Sequence, residues 1–241
     1  MRRESSIIIT IFIMMSLMGV LTGCVPQYDQ GSGREGNGVF EEGSREEEEG
    51  IEEKESKPFE ERLFKEEGEG KVVLKTNDMR YWSVRGYTVW KFLRSVDKRE
   101  PSIEVVKKGG AAEAGYGLIC CSTKKEAGQK EYRMLVVMIH VDGKYSVGYA
   151  VNGKYKSLVW KQSDKRLKKG YGIANSISVK KEGKAVLIYF NDEGYEGEAA
   201  YRISNADEYS LGEGQAGVIG VISAKDRFPD DMVHIEYRIK R

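Results

Sequence analysis

Asp192, Glu193, Glu196 and Glu198 place four carboxylates within seven residues. Such crowding could share a proton or gather hard oxygens around calcium. Gly194 and Gly197 interrupt the run, however, so it reads as a solvated turn with no fixed spacing between the acids. His140 and His234 are the only histidines, and the cysteines are Cys24, Cys120 and Cys121. A zinc site needs three or four nitrogen or sulfur ligands, which this set does not supply at metal-binding spacing. No nucleophile-elbow sequence is present to support a hydrolytic triad. Gly212-Glu-Gly-Gln-Ala-Gly217 spells a Gly-x-Gly-x-x-Gly string, but a helix N-terminus must follow to receive phosphates. The β-type run Val218 to Ile222 follows instead. No catalytic residue, metal site or cofactor is therefore expected.

The aromatic residues offer binding chemistry, since their rings can stack on the apolar face of a sugar. Tyr171 and Tyr195 each lie in a Gly-rich loop and are the candidate ligand contacts. Trp160 falls in a block that reads as core, and Trp82 and Trp90 lie near the domain start, where large residues seal a sandwich. His140 sits in a run apolar on both sides, which suggests a satisfied core imidazole. His234 lies on a wet face beside Glu236. Cys120 and Cys121 are adjacent, about 3.8 Å apart at Cα and below the usual disulfide range. The expectation is two reduced thiols, one of them in the core, with a strained vicinal disulfide as the alternative.

The elements that must carry these residues have a period of two. In Met232 to Lys240, Val233, Ile235, Tyr237 and Ile239 share one face, while His234, Glu236 and Arg238 share the other. That alternation marks a strand with one core face and one wet face. Tyr132 to Val141 is apolar on both alternating sets, so it predicts a central strand covered on both sides. Turn signals at Asp142-Gly143, Asn152-Gly153, Glu182-Gly183 and Glu193-Gly194 separate the runs. Further strands are expected at Ser102–Lys107, Tyr116–Ser122, Tyr145–Val151, Ser157–Lys161, Ser176–Lys180, Ala185–Phe190 and Gly217–Ser223. Lys71–Thr76 and Tyr87–Phe92 are weaker candidates. The class these predict is all-β, an antiparallel two-sheet β-sandwich.

Ahead of this domain the chain changes character. Met1-Arg2-Arg3 precedes an apolar run from Ile7 to Leu21, shorter than the roughly 20 residues of a spanning helix. Leu21-Thr-Gly-Cys24 ends it, and the whole reads as a signal peptide over residues 1–23. The ending closely resembles the bacterial lipobox. That resemblance implies cleavage before Cys24, lipid on its thiol and membrane attachment through the acyl chains, each buried methylene contributing about 0.8 kcal/mol. The implied location is the cell envelope, at the outer membrane or the cell surface.

Residues 24–70 are rich in Gly, Ser and Glu, with 16 acidic against 6 basic side chains, and read as a disordered tether. Within them Phe59 to Phe64 could be a docking turn or the first element of the domain. Residues 71–241 form the expected β-sandwich domain, with 31 basic against 21 acidic side chains. A net charge of +1 therefore conceals two opposed parts. No nucleic-acid partner is expected.

Gly115-Tyr-Gly-Leu-Ile119, Lys144-Tyr-Ser-Val-Gly148, Leu158-Val-Trp160, Ala185 to Asn191 and Ala216-Gly-Val-Ile-Gly220 resemble, in order, the blocks of concanavalin A-like jelly rolls. The style is that of laminin-G-like domains and of the bacterial 3-keto-disaccharide hydrolase-like domains. The resemblance covers Ser102 to Lys240 and implies a fold that serves sugar binders, glycoside hydrolases and protein-interaction modules alike. The Glu-x-Asp-x-x-Glu strand of jelly-roll glucanases, which projects two carboxylates into one cleft, does not occur. The expected function is a non-catalytic binding module for a glycan or a protein. The alternatives are a glycoside-acting enzyme and a structural envelope component. Replacing Cys24 by serine should abolish incorporation of labelled palmitate in cells; undiminished labelling of the variant would show that the lipid is carried elsewhere.

Overall fold

The computed structural model describes residues 63–68, 70–123, 133–151, 154–192, 194–205 and 214–240. The signal-peptide region, Cys24 and most of the acidic stretch lie outside these residues. No helix among the described residues is long and apolar enough to cross a membrane.

Thirteen strands run through the described residues. They are β1 (Phe64–Glu66), β2 (Lys71–Thr76), β3 (Tyr87–Phe92), β4 (Ser102–Gly109), β5 (Tyr116–Thr123), β6 (Arg133–Ile139) and β7 (Lys144–Val151), then β8 (Lys154–Ser163), β9 (Ala174–Glu182), β10 (Ala185–Phe190), β11 (Tyr201–Ile203), β12 (Gln215–Ile222) and β13 (Val233–Ile239). All pairings are antiparallel, in a seven-stranded sheet β1-β2-β13-β4-β9-β10-β11 and a six-stranded sheet β3-β12-β5-β6-β7-β8. The chain changes sheet repeatedly, at β2 to β3, β3 to β4, β4 to β5, β8 to β9, β11 to β12 and β12 to β13. The result is an antiparallel two-sheet β-sandwich, the class that the sequence predicts.

The period-two pattern explains the core. On β13, Val233, Ile235 and Tyr237 are fully buried, as are Ile103 and Val105 on β4. They face Leu118 of β5, Leu135, Val137 and Ile139 of β6 and Val218 of β12, forming one cluster between the sheets. Tyr237 also ties the two sheets together with a buried hydrogen bond, its hydroxyl donating to the Ile219 carbonyl at 2.8 Å. Gly220 makes room for this contact, since a Cβ there would lie 2.5 Å from Leu74 Cδ2 and 3.2 Å from the Tyr237 hydroxyl.

One inward position on β4 is not apolar. Lys107 is 1% exposed, and its Nζ donates to the carbonyls of Ala111 at 2.6 Å and Ala114 at 2.9 Å. Burial pushes its pKa down to about 8, against the pull of Asp226 and Glu113. Buried Asp226 accepts from the backbone N–H groups of Ala111 and Ser223, so it fastens the β4–β5 connection, which Lys107 holds from within, to the β12–β13 connection.

Two strands lie outside the expected set. Phe64 is 4% exposed, and β1 pairs with β2 through Phe64↔Leu74, so a strand precedes the boundary drawn at residue 71. Its three residues are too short to show a period amid glutamates. Tyr201–Ile203 adds an equally short edge strand to β10. Removing the hydroxyl by Tyr237→Phe leaves a buried carbonyl without its donor. The variant should lose about 1–3 kcal/mol of stability, seen as a lower urea midpoint at unchanged slope.

Candidate functional site

The outer face of the six-stranded sheet is apolar across its middle. Met134, Val136 and Met138 alternate along β6 on the side away from the main core, joined by Ile119 of β5, Ala150 of β7 and Ile219 of β12. Trp90, Phe92, Tyr155 and Val221 pack against this second cluster. A cleft of about 330 Å³ opens over this floor. It extends from Val84, Arg85 and Trp90 beside edge strand β3 to Tyr155, Trp160 and Lys161 on the opposite edge strand β8. Tyr155 can lean inward because β7 carries glycine at 148, where a Cβ would fall 2.4 Å from its ring.

Trp160 reaches the cleft through a local irregularity. Tyr145 pairs with Gln162 and Val147 with Val159, so Trp160 and Lys161 together oppose the single residue Ser146. This is a bulge, and Lys161 takes a left-handed φ of 51° to complete it. The Ser146 hydroxyl, fully buried, accepts from the Lys161 backbone N–H at 3.1 Å. The same hydroxyl lies 3.0 Å from His140 Nε2, while His140 Nδ1 lies 3.1 Å from the Glu113 carbonyl. A carbonyl only accepts, so Nδ1 carries the proton and Nε2 receives the serine hydroxyl's hydrogen. The imidazole and the Trp160 indole meet edge to face, 6.4 Å between centroids. His140 is thus the satisfied, buried imidazole expected, and it supports the bulge that presents Trp160.

Among the described residues, the carboxylate lining the cleft is Glu113. Its Oε1 receives the Ser223 hydroxyl at 3.1 Å and pairs with Lys225 Nζ at 3.3 Å. Burial works to raise this carboxyl, but hydrogen bonds and the Lys225 charge outweigh it and hold it below the usual range. It is ionised and already engaged. No three His, Cys, Asp or Glu side chains among the described residues converge as metal ligands.

The two sequence-derived ligand contacts are not brought together. Tyr171 is 46% exposed, and its hydroxyl donates to the Gly110 carbonyl at 2.6 Å. Tyr195 packs edge to face on Tyr189, 4.9 Å between centroids, over the outer side of β10, with Lys180 Nζ 5.1 Å from its ring. Neither lines the cleft. Tyr195 belongs to the acidic loop, where Asp192 Oδ2 accepts from the Gly197 N–H at 2.8 Å and Ala199 joins Tyr195 against β10. That loop folds onto the sheet and is more than a solvated turn, while Glu193 lies outside the described residues.

Trp160 corrects the sequence reading outright. It is 48% exposed and stands at the cleft: Val159, paired with core residue Val147, packs against the main cluster, and Trp160 beside it faces the other side. Trp90 likewise lies over the second cluster and does not close the sandwich. Cys120 is in the main core as expected for one of the pair; the Cys121 side chain lies outside those described. His234 stands 3.3 Å from Glu236, which Lys108 also binds at 2.6 Å. The Gly-x-Gly-x-x-Gly run leads into β12, with Gly217 inside the strand and pressed against the Lys91 carbonyl, where a Cβ would come within 2.0 Å.

No protein-family model matches the chain, and no curated protein matches it. Solved structures of similar chain path include a β-1,3-glucanase from Mycobacterium marinum, 8% identical over 74% of this chain and 78% of that one, TM-score 0.43. A carbohydrate binding module from Bacillus subtilis is 12% identical over 70% and 80%, TM-score 0.37. A sheep galectin is 9% identical over 63% and 96%, TM-score 0.32. These likenesses say nothing of activity.

The His140 environment makes a stability prediction. Burial, followed by the Lys161 charge, depresses its pKa from 6.5 to about 4. Between these values the unfolded chain binds a proton that the folded chain refuses, so stability falls as pH drops from 6.5 towards 4. Thermal melts of the His140→Gln variant should show a shallower decline across that interval than the parent; parallel profiles would refute the assignment.

Proposed function

We propose that the chain is a non-catalytic binding module, held at the cell envelope by lipid on Cys24, that takes up a glycan in the cleft on the outer face of its six-stranded sheet. The observation that carries this reading is the aromatic frame of the cleft. Trp160 and Trp90 stand on opposite sides of an apolar floor, and indole faces are suited to the C–H faces of sugar rings. Trp160 supports it further, because a large half-exposed apolar ring fixed by a buried polar network is poised for contact with something outside the fold.

The absence of catalysis in this reading is supported by the cleft's charge. Hydrolysis of a glycosidic bond by the usual route needs two carboxylates about 5–10 Å apart, one to protonate and one to attack or activate water. Glu113 has no such partner among the described lining residues, and its own oxygen is occupied by Lys225 and Ser223. Attachment at the outer membrane or the cell surface would set the cleft where envelope glycans are met.

Trp160→Ala should weaken binding to any oligosaccharide hit from a glycan array by about tenfold or more. Stacking of one ring contributes on the order of 1 kcal/mol beyond its buried area, and the area adds to it. Isothermal titration would measure this, with the folded state checked by unchanged urea unfolding. Saccharide binding indifferent to Trp160 and Trp90 would place the site elsewhere.

A further inference from the structure

Among the described residues the centre of the cleft floor is apolar, and the Tyr155 hydroxyl, which lies over Gly148 beside it, is itself buried. Met134, Val136, Met138, Ala150, Ile219 and Val221 meet an occupant with methyl, methylene and thioether groups alone. Sugar hydroxyls pressed onto that surface would lose water and gain no partner, so a saccharide can stack at the aromatic edge but cannot satisfy the floor. An alkyl chain can. Met134, Val136 and Met138 are alternate residues of one strand, which gives the floor an apolar track roughly 13 Å long. Methionine side chains adapt to a chain of variable shape. The volume of about 330 Å³ is at the small end for ligand clefts, enough for one chain and too little for a protein helix some 10 Å or more across.

The rim has the opposite character. Arg85 is exposed beside the equally exposed Val84, Lys161 lies on the far side above Trp160, and the Lys225 side chain is 76% exposed. Glu113 offsets one of these three cations. His140, kept neutral by burial, adds no charge. An apolar slot under a net cationic rim is complementary to a molecule with an apolar tail and a negative head.

We infer that the cleft binds a single-chain anionic amphiphile, its alkyl tail along the Met134–Met138 track and its head among Arg85, Lys161 and Lys225. This rests on the reading of the cleft as the ligand site and specifies that the ligand there carries an alkyl tail on its anionic head. The tail displaces nothing that is hydrogen-bonded, and the head remains at the solvent boundary, where its charge stays hydrated.

The test is a titration of the full chain in detergent-free buffer, followed through Trp fluorescence below the micellar range. The probes are dodecyl phosphate, dodecyl maltoside, dodecyltrimethylammonium and chain-free maltose. Dodecyl phosphate should saturate at one per chain and bind at least tenfold tighter than dodecyltrimethylammonium. The double variant Lys161→Glu, Lys225→Glu should remove that preference while leaving dodecyl maltoside binding within about twofold. Ala150→Phe, which fills the floor, should weaken both dodecyl probes at least tenfold; the exposed Lys225→Glu alone supplies a readout that does not depend on that core variant folding. Equal binding of all three head groups would overturn the anionic assignment. Saccharide binding that needs Trp160 but gains nothing from a tail would overturn the amphiphile and leave the glycan module standing. No response to any probe, together with an empty glycan array, would remove both.

Discussion

A sheet that is apolar on both faces has to hide both. β6 imposes that requirement here, because every residue from Met134 to Ile139 is buried while only alternate ones can point between the sheets. Leu135, Val137 and Ile139 are covered by the second sheet. Among the described residues, Met134, Val136 and Met138 have no third layer above them, and Trp90, Phe92, Tyr155 and Val221 pack across them from other strands of the sheet. Burying a residue of this size is worth about 1.5–3 kcal/mol, and several left in water would consume a large part of a domain's net stability of about 5–15 kcal/mol. The cover is incomplete, and the cleft is the part of the face it does not close.

The polar groups inside serve this geometry. Ser146 has to lie beneath the bulge to receive the Lys161 N–H, and His140 has to stay neutral to receive the serine's hydrogen. Each group satisfies its neighbour, which is the condition under which buried polar side chains specify structure without a large desolvation cost. The chain of contacts ends at Trp160, so a backbone irregularity, a hydroxyl and an imidazole together determine where one indole stands. Lys107 and Asp226 perform the corresponding task at the loops, binding backbone groups that no strand can pair.

Period-two reading located eleven of the thirteen strands, and for β2, β3 and β10 the expected limits coincide with the observed ones. It worked best where one face is wet, as on β13, and it marked β6 as central because both of its faces are apolar. It overlooked β1 and β11, whose three residues hold too few positions to display any alternation. The cleft was less legible. The block around Trp160 reads as core, whereas β8 shifts register twice between its pairings with Tyr145 and Gly148, and no glycine or proline in the strand announces this. Glycines at 148 and 117 mark backbone that other groups approach closely, yet in the sequence they are indistinguishable from turn residues. Loop tyrosines are the natural choice for ligand contacts, whereas the aromatic frame is built on the strands β3 and β8.

Among the described residues β8 closes the six-stranded sheet, with one row of its backbone groups facing no neighbouring strand. Such a margin is a template on which a second molecule can lay down a strand of its own. Here Lys154 and Lys156 point into solvent, Lys161 sits in the bulge, and the ladder is kinked at two places. Another copy approaching this side would meet like charge and a broken register before it met free amides. The two register shifts of this edge thus make it a poor template for a strand from a second copy.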